Sequence, residues 1–273
     1  MPPGASHWFG VQQTLSIFPG AALNLASIEE RGRSDGRCLA LARRMQGELM
    51  IDLRHLLTAP PRFHGSNGDT TDAWRLDDAG LLFLDAHLRS TMKTIETGAG
   101  VSTIVFALKG TDHTCVVPDR EVVQRIQQFS QVHGVSLRNV HFVVECSEFA
   151  LPSLRTDHYD FALIDGRHGF PAPFIDWFYI SNRLRTGGVV LLDDTWIWTG
   201  NVLEKFLDAM PGWRRCAVLP KSAAFVKECD GTEHAEWVDQ PFVYGHSPAA
   251  RFYPATGRAR RRDVDVDATI SRC

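Results

Sequence analysis

Three carboxylates and one imidazole are the residues of this chain best placed to do chemistry. Asp165 follows the apolar run Phe161-Ala162-Leu163-Ile164, and Asp193 and Asp194 follow Val189-Val190-Leu191-Leu192. Both runs are strand-like, so the acids fall at strand carboxyl ends, where open α/β sheets hold their ligands. Like charges gathered there repel unless a cation neutralises them or protons stay on. A hard divalent ion with oxygen ligands, most simply Mg²⁺, resolves the conflict, with Asp165, Asp193 and Asp194 as its candidate ligands. The alternative is structural: Asp165 ends a strand or positions a cofactor, and Asp193-Asp194 caps the next loop. His168 lies in the Gly-flanked stretch Asp165-Gly166-Arg167-His168-Gly169, a loop setting in which functional side chains concentrate.

A second motif lies upstream, Glu96-Thr97-Gly98-Ala99-Gly100-Val101-Ser102-Thr103. Gly98 and Gly100 stand between a strand-like and a helical run, where missing side chains let the backbone turn sharply and approach a ligand. A dinucleotide fingerprint expects a third small residue where Thr103 stands, and a diphosphate disfavours a carboxylate two residues before the first glycine. Glu96 therefore suits a cationic ligand better. A plain structural turn, with Glu96 capping something local, is the alternative.

These residues need a frame that delivers them to one place. Strand-like runs at 93–97, 113–117, 140–144, 159–164 and 189–192 alternate with helical ones at 101–108, 121–132, 147–154 and 172–184. Such alternation demands a parallel sheet with helices on both faces, because parallel strands need crossover connections. After a helix at 201–210, strands at 215–219 and 223–227 are separated only by Pro220-Lys221-Ser222, too short for a crossover. The predicted fold is α/β: a doubly wound, mostly parallel sheet with a terminal antiparallel hairpin, over a core at 75–228. Residues 1–74 are expected to form an N-terminal helical extension or cap, with a helix at 36–57 stopped by Ala59-Pro60-Pro61 and a polar linker at 64–72. A helix at 74–88 leads into the core. Residues 229–273 read as a partly irregular tail, whose basic run at 258–262 is offset by Asp263, Asp265 and Asp267.

With the glycine loop, the acids and the hairpin in this order, the chain resembles the class I S-adenosylmethionine-dependent methyltransferases. Glu-Thr-Gly-Ala-Gly-Val-Ser-Thr looks like their motif I. The resemblance implies S-adenosylmethionine as cofactor, with Glu96 facing its methionine part and Gly98, Gly100, Ser102 and Asp165 around it. It also implies an acid after the second strand for the ribose hydroxyls; Asp119 is the candidate, and N-capping the next helix is its equal rival. Ser147, after the third strand, falls where the family contacts adenine, again with N-capping as a rival role. Asp165-Gly-Arg-His168, with Asp193 and Asp194 some 28 and 29 residues beyond Asp165, is similar to the metal-dependent small-molecule O-methyltransferases, of the catechol type and the macrocin and mycinamicin sugar type. Carried over, Asp165, Asp193 and Asp194 become Mg²⁺ ligands, and His168, beside Asp165, becomes the catalytic base. Metal coordination lowers a hydroxyl pKa, and an imidazole near neutrality can take the proton. The stretch from Gly169 to Trp177 departs from that pattern, and Phe170, Trp177, Trp196 and Trp198 fit either an acceptor wall or the core.

Composition narrows the partners. With 29 Lys+Arg against 32 Asp+Glu the formal net charge is −3, which offers no global field for nucleic acid. The apolar runs are too short to cross a bilayer, no basic residue precedes an apolar segment at the start, and the six cysteines lack zinc spacing. The expectation is a cytoplasmic enzyme with a small-molecule acceptor, a sugar or secondary metabolite, with a homodimer through residues 1–74 left open. Two other readings stand beside it. A nicotinamide-dependent oxidoreductase is opposed by Glu96 and the missing third glycine, and a non-catalytic cofactor-fold module by the intact Glu96, Gly98, Gly100, Asp165 and His168.

Overall fold

The computed structural model describes residues 51–66, 69–71, 74–155, 158–230 and 235–253, all within one compact unit, Leu49–Cys273. A small antiparallel hairpin, β1 (His64–Ser66) and β2 (Asp69–Thr71), precedes a seven-stranded sheet. The sheet's strands are β3 (Lys93–Thr97), β4 (Asp112–Val116), β5 (Val140–Val143), β6 (Tyr159–Ile164), β7 (Leu184–Leu192), β8 (Trp213–Val218) and β9 (Ala223–Lys227). Their order is β5-β4-β3-β6-β7-β9-β8, with β3 to β7 parallel and β9 antiparallel to both β7 and β8. The predicted doubly wound sheet with its terminal hairpin is therefore the fold observed. From β3 the chain winds outward to β5, then returns to β6 on the other side of β3. The strand order reverses between β3 and β6, and a crevice opens at their carboxyl ends.

Helices cover both faces: α1 (Leu53–Thr58), α2 (Asp78–His87), α3 (Val101–Lys109), α4 (Arg120–Val132), α5 (Ser147–Ser153), α6 (Ala172–Ser181), α7 (Trp198–Ala209) and α8 (Pro241–His246). The period of two along the strands explains the two cores. Phe161 and Leu163 of β6 join Leu84, Phe106 and Ile126 on one face, while Ala162 and Ile164 join Trp177, Ile180 and Leu207 on the other.

Several boundaries differ from the sequence reading. The helix expected over 36–57 does not run through Asp52, which is extended (φ −125°, ψ 178°) and caps α1 through the His55 amide; the part before residue 51 lies outside the described residues. The polar linker at 64–72 is instead the β1–β2 hairpin, paired from His64↔Thr71 to Ser66↔Asp69. The helix expected at 74–88 begins at Asp78, because Asp77 caps it by accepting from the Gly80 amide at 2.8 Å. The helix expected to reach residue 184 stops at Ser181, and β7 already begins at Leu184; the buried Lys227 ammonium donates to the Ser181 and Leu184 carbonyls across that junction. Helix α7 starts at Trp198, three residues early. In the tail, Phe242 and Val243 of α8 pack against the core, and the basic run at 258–262 lies outside the described residues. Among the described residues no helix is long and apolar enough to cross a membrane.

Candidate functional site

The crevice at the β3/β6 reversal is a cavity of about 530 Å³, in the range of small-molecule sites. Thr97, Gly98 and Ala99 form its floor, Val117, Asp119 and Ser147 one end, and Asp165, His168, Asp193, Asp194, Trp196 and Lys221 the other. His64, Trp74 and Arg75 complete the wall. A neighbouring cavity of about 430 Å³ shares Ser147, Arg167 and His168 and extends along Phe170 and Ile175.

Gly98 is required by the close approach of two strand ends. Its φ is +88°, and a Cβ there would lie 2.1 Å from the Asp165 carbonyl oxygen, so a side chain would force β3 and β6 apart. Asp165 is thereby brought directly under the loop, its amide donating to the Thr97 carbonyl at 3.1 Å.

Glu96 and Ser102 are placed otherwise than expected. Glu96 is fully buried beneath the loop, not on the cavity wall: its carboxylate accepts from Ser102 Oγ at 2.7 Å and from Thr103 Oγ1, with His113 Nε2 at 3.2 Å. On its other side His113 Nδ1 is hydrogen-bonded with Thr94 Oγ1 at 2.8 Å, which donates to Thr111 at 3.0 Å. Glu96, Gly100 and Ser102 therefore shape the loop from behind. Glu96, His113 and Cys115 also form the one group of three potential metal-ligand atoms within 4.8 Å of one another among the described residues. All three side chains are buried, and burial with the Glu96 charge pushes the Cys115 thiol well up, so it stays protonated.

Of the two roles weighed for Asp119, the helix cap is the one observed. Asp119 lines the cavity, and Oδ1 caps α4 by accepting from the Glu121 and Val122 amides at 2.8 and 3.3 Å. Ser147 is not an N-cap: Cys146 holds that position, and Ser147 is the first residue of α5, facing the cavity.

The acids at the strand ends converge on the cavity with His168. His168 Nε2 lies 3.2 Å from Asp194 Oδ2 and 3.8 Å from Asp165 Oδ1. Asp194 Oδ1 accepts from the Trp196 indole N–H at 2.6 Å, and Asp193 Oδ1 from Ser222 Oγ at 2.6 Å. Burial, reinforced by the Asp193 charge, holds the Asp165 carboxyl well above the usual carboxylate range; burial also raises Asp193. Asp194 has φ +50°, a left-handed conformation uncommon for a residue other than glycine. Three contacts hold it there: the indole, the Ile197 amide on its carbonyl at 2.9 Å, and Gly200, where a Cβ would come within 2.6 Å of that carbonyl oxygen. Thr199 Oγ1 donates to the His168 carbonyl and so ties the two loops together.

The aromatic candidates separate. Trp196 is 70% exposed and lines the main cavity, Phe170 lines the smaller one, and Trp198 is exposed on the first turn of α7. Trp177 is a core residue, edge-on to Phe206. Sequence reasoning missed Asp176, a carboxylate inside the apolar helix α6. It is fully buried under the 165–168 loop, where a Cβ on Gly166 would lie 3.1 Å from its Oδ2. Burial raises its carboxyl although the Ser147 and Thr97 hydroxyls oppose the shift, and neither oxygen has a hydrogen bond of good geometry. A lone acid in the run Pro-Phe-Ile-Asp-Trp-Phe was the available signal.

Thr97 and Asp119 both line the cavity at the loop, and the Asp119 carboxylate suits a polar ligand there.

Comparison with known proteins gives these features a context. Residues 95–195 match the family model of a methyltransferase domain. Among solved structures, an S-adenosylhomocysteine-bound methyltransferase from Podospora anserina superposes with TM-score 0.50 at 14% identity, over 78% of this chain and 99% of that one. A Staphylococcus aureus protein assigned as a caffeoyl-CoA O-methyltransferase gives TM-score 0.50 at 14% identity, over 71% and 98%. An rRNA methylase from Streptococcus thermophilus gives 0.43 at 14% identity, over 55% and 94%. No curated protein matches the sequence.

Proposed function

We propose, on the premise that residues 95–195 form a class I S-adenosylmethionine-dependent methyltransferase domain, that this chain methylates a hydroxyl oxygen of a small acceptor with His168 as the base. The observation that carries this reading is the His168–Asp194 pair at 3.2 Å in the cavity that also holds the glycine loop. When bound, S-adenosylmethionine supplies an electrophilic methyl group on a sulfonium.

The chain's own residues divide the remaining work. Gly98, Ala99, Asp119 and Ser147 would hold the cofactor, while Glu96 and Ser102 set the loop's shape from beneath. The Asp194 carboxylate, 3.2 Å from Nε2, favours the proton on that nitrogen, which leaves the lone pair on Nδ1 to accept the hydroxyl proton. Trp196 in turn fixes Asp194. Proton removal makes the acceptor oxygen a nucleophile, and its alignment with the methyl group supplies much of the rate.

Mg²⁺ assistance is part of the proposal. Asp165, Asp193 and Asp194 are the hard oxygen donors that would hold the ion, and their mutual repulsion is what it would relieve. They are not pre-assembled as a tight cage, since no three of their ligand atoms lie within 4.8 Å of one another, so their side chains would have to draw in. The chemistry it would supply is a lowered acceptor pKa.

The test is direct. The protein should bind S-adenosylmethionine in a calorimeter and Gly98→Val should lose that binding, whereas His168→Ala should keep it and lose about 10²-fold or more in kcat. An unbound cofactor sinks the assignment. Full turnover by His168→Ala sinks the base.

A further inference from the structure

The cavity wall has three cationic side chains among the described residues, and two of them are committed. Arg75 pairs with Asp78 at 2.7 Å and Arg167 with Glu148. Among the described residues Lys221 has no carboxylate within 4.0 Å; its ammonium lies over the Trp196 ring, 5.0 Å from its centre. A lysine placed to neutralise the acidic cluster would pair with Asp193 or Asp194. This one does not, although its backbone carbonyl meets the amide of Thr195, the residue after Asp194.

Its position is fixed by backbone contacts. Lys221 lies in the turn between β8 and β9, and β9 runs next to β7 with Ala223 opposite Leu192. The Lys221 carbonyl accepts from the Thr195 amide at 2.8 Å and from Thr195 Oγ1 at 3.2 Å, while the next residue, Ser222, donates to Asp193. The turn is thus latched to the loop that carries the acids. Trp196 bridges the two ends: its indole N–H is held by Asp194, and its ring, 70% exposed, reaches back to Lys221. An indole held at its N–H, with the Lys221 ammonium over its ring, offers a flat apolar surface with a cation beside it for an anionic group.

We propose that Lys221 is the anion anchor of the acceptor subsite: the acceptor is a hydroxylated planar ring bearing an anionic group, with the ring on Trp196, the anion on Lys221 and the hydroxyl toward His168. This rests on the methyltransferase reading and deepens it by naming the acceptor class. Discrimination arises because a neutral analogue forfeits the charge pair in a partly desolvated site.

The experiment uses the full chain saturated with S-adenosylhomocysteine, whose binding is measured first. Binding of 4-hydroxybenzoate, its methyl ester and 4-hydroxyphenyl phosphate is then followed by Trp fluorescence and calorimetry. The acid or the phosphate should bind about tenfold or more tightly than the ester, the stronger of the two identifying the anion, and added salt should narrow the gap. Lys221→Gln should level the three affinities and Lys221→Glu should favour the ester, both with an unchanged Tm. Equal binding in the wild type, a preference that survives in Lys221→Gln, or no binding of any probe overturns the proposal. Loss of S-adenosylhomocysteine binding would instead overturn the methyltransferase reading beneath it.

Discussion

At the scale of single residues, the side chains that could be named from sequence were those at the ends of apolar runs. Asp165, Asp193 and Asp194 follow strands directly, and a parallel sheet must bring such positions together, so their meeting with His168 in one cavity was legible. Glu96 shows where that logic stops. Side-chain alternation along β3 turns it away from the cavity and into the network with Ser102, Thr103 and His113, a partner 17 residues along the chain that no local pattern reveals. Asp176 is the converse case, a site neighbour hidden in a helix that otherwise reads as core. Burial raises its carboxyl, so the folded state binds its proton more tightly than the unfolded chain does. The sign follows: stability is full at pH values below the ordinary carboxylate range and is lost as pH rises through the raised folded value. Asp176→Asn, which removes the charge and keeps the shape, should therefore raise Tm by a few degrees at pH 8, with the gain fading toward pH 4. Thermal melts across that range check it. A lower Tm at pH 8 would mean that the ionised carboxylate is a net stabilising partner of the Ser147 and Thr97 hydroxyls.

At the scale of elements, the βα alternation and the short gap at Pro220-Lys221-Ser222 carried the topology, because both are counted in residues. Helix starts were less legible, since caps such as Asp77 compete with the apolar period that precedes them. The early start of α7 matters most for the site. It places Gly200 against the Asp194 carbonyl and Thr199 against the His168 carbonyl, so the first turn of one helix holds both members of the pair. Left-handed Asp194 persists only because its surroundings over-determine it. Gly200→Ala must push that turn away, at a cost of about 1–3 kcal/mol in stability. It should lower kcat about tenfold or more while leaving the Kd for S-adenosylmethionine unchanged, because the residues proposed to hold the cofactor lie on other loops. Turnover and calorimetry on the same preparation separate the two effects; unchanged turnover would show that α7 does not position the pair.

At the scale of the whole molecule, the sheet acts as a device for concentrating negative charge. The formal charge of the chain is only −3, yet three carboxylates meet at one end of one cavity, where burial first and their neighbouring charges second raise the Asp165 and Asp193 carboxyls. A fold that assembles like charges spends stability on doing so, and a bound cation returns it. Mg²⁺ should therefore raise Tm with the logarithm of its excess over Kd, about 2.7 kcal/mol of stabilisation at a hundredfold excess. Asp193→Asn, which removes one donor and part of the repulsion, should raise the metal-free Tm and abolish the Mg²⁺ response. Exhaustive chelation should suppress turnover of the wild type, with Mg²⁺ restoring it. If chelated protein turns over at the full rate and Mg²⁺ leaves Tm unmoved, the acids serve to orient His168 and the cofactor, and the charge they share is relieved by protonation of Asp165, which burial favours.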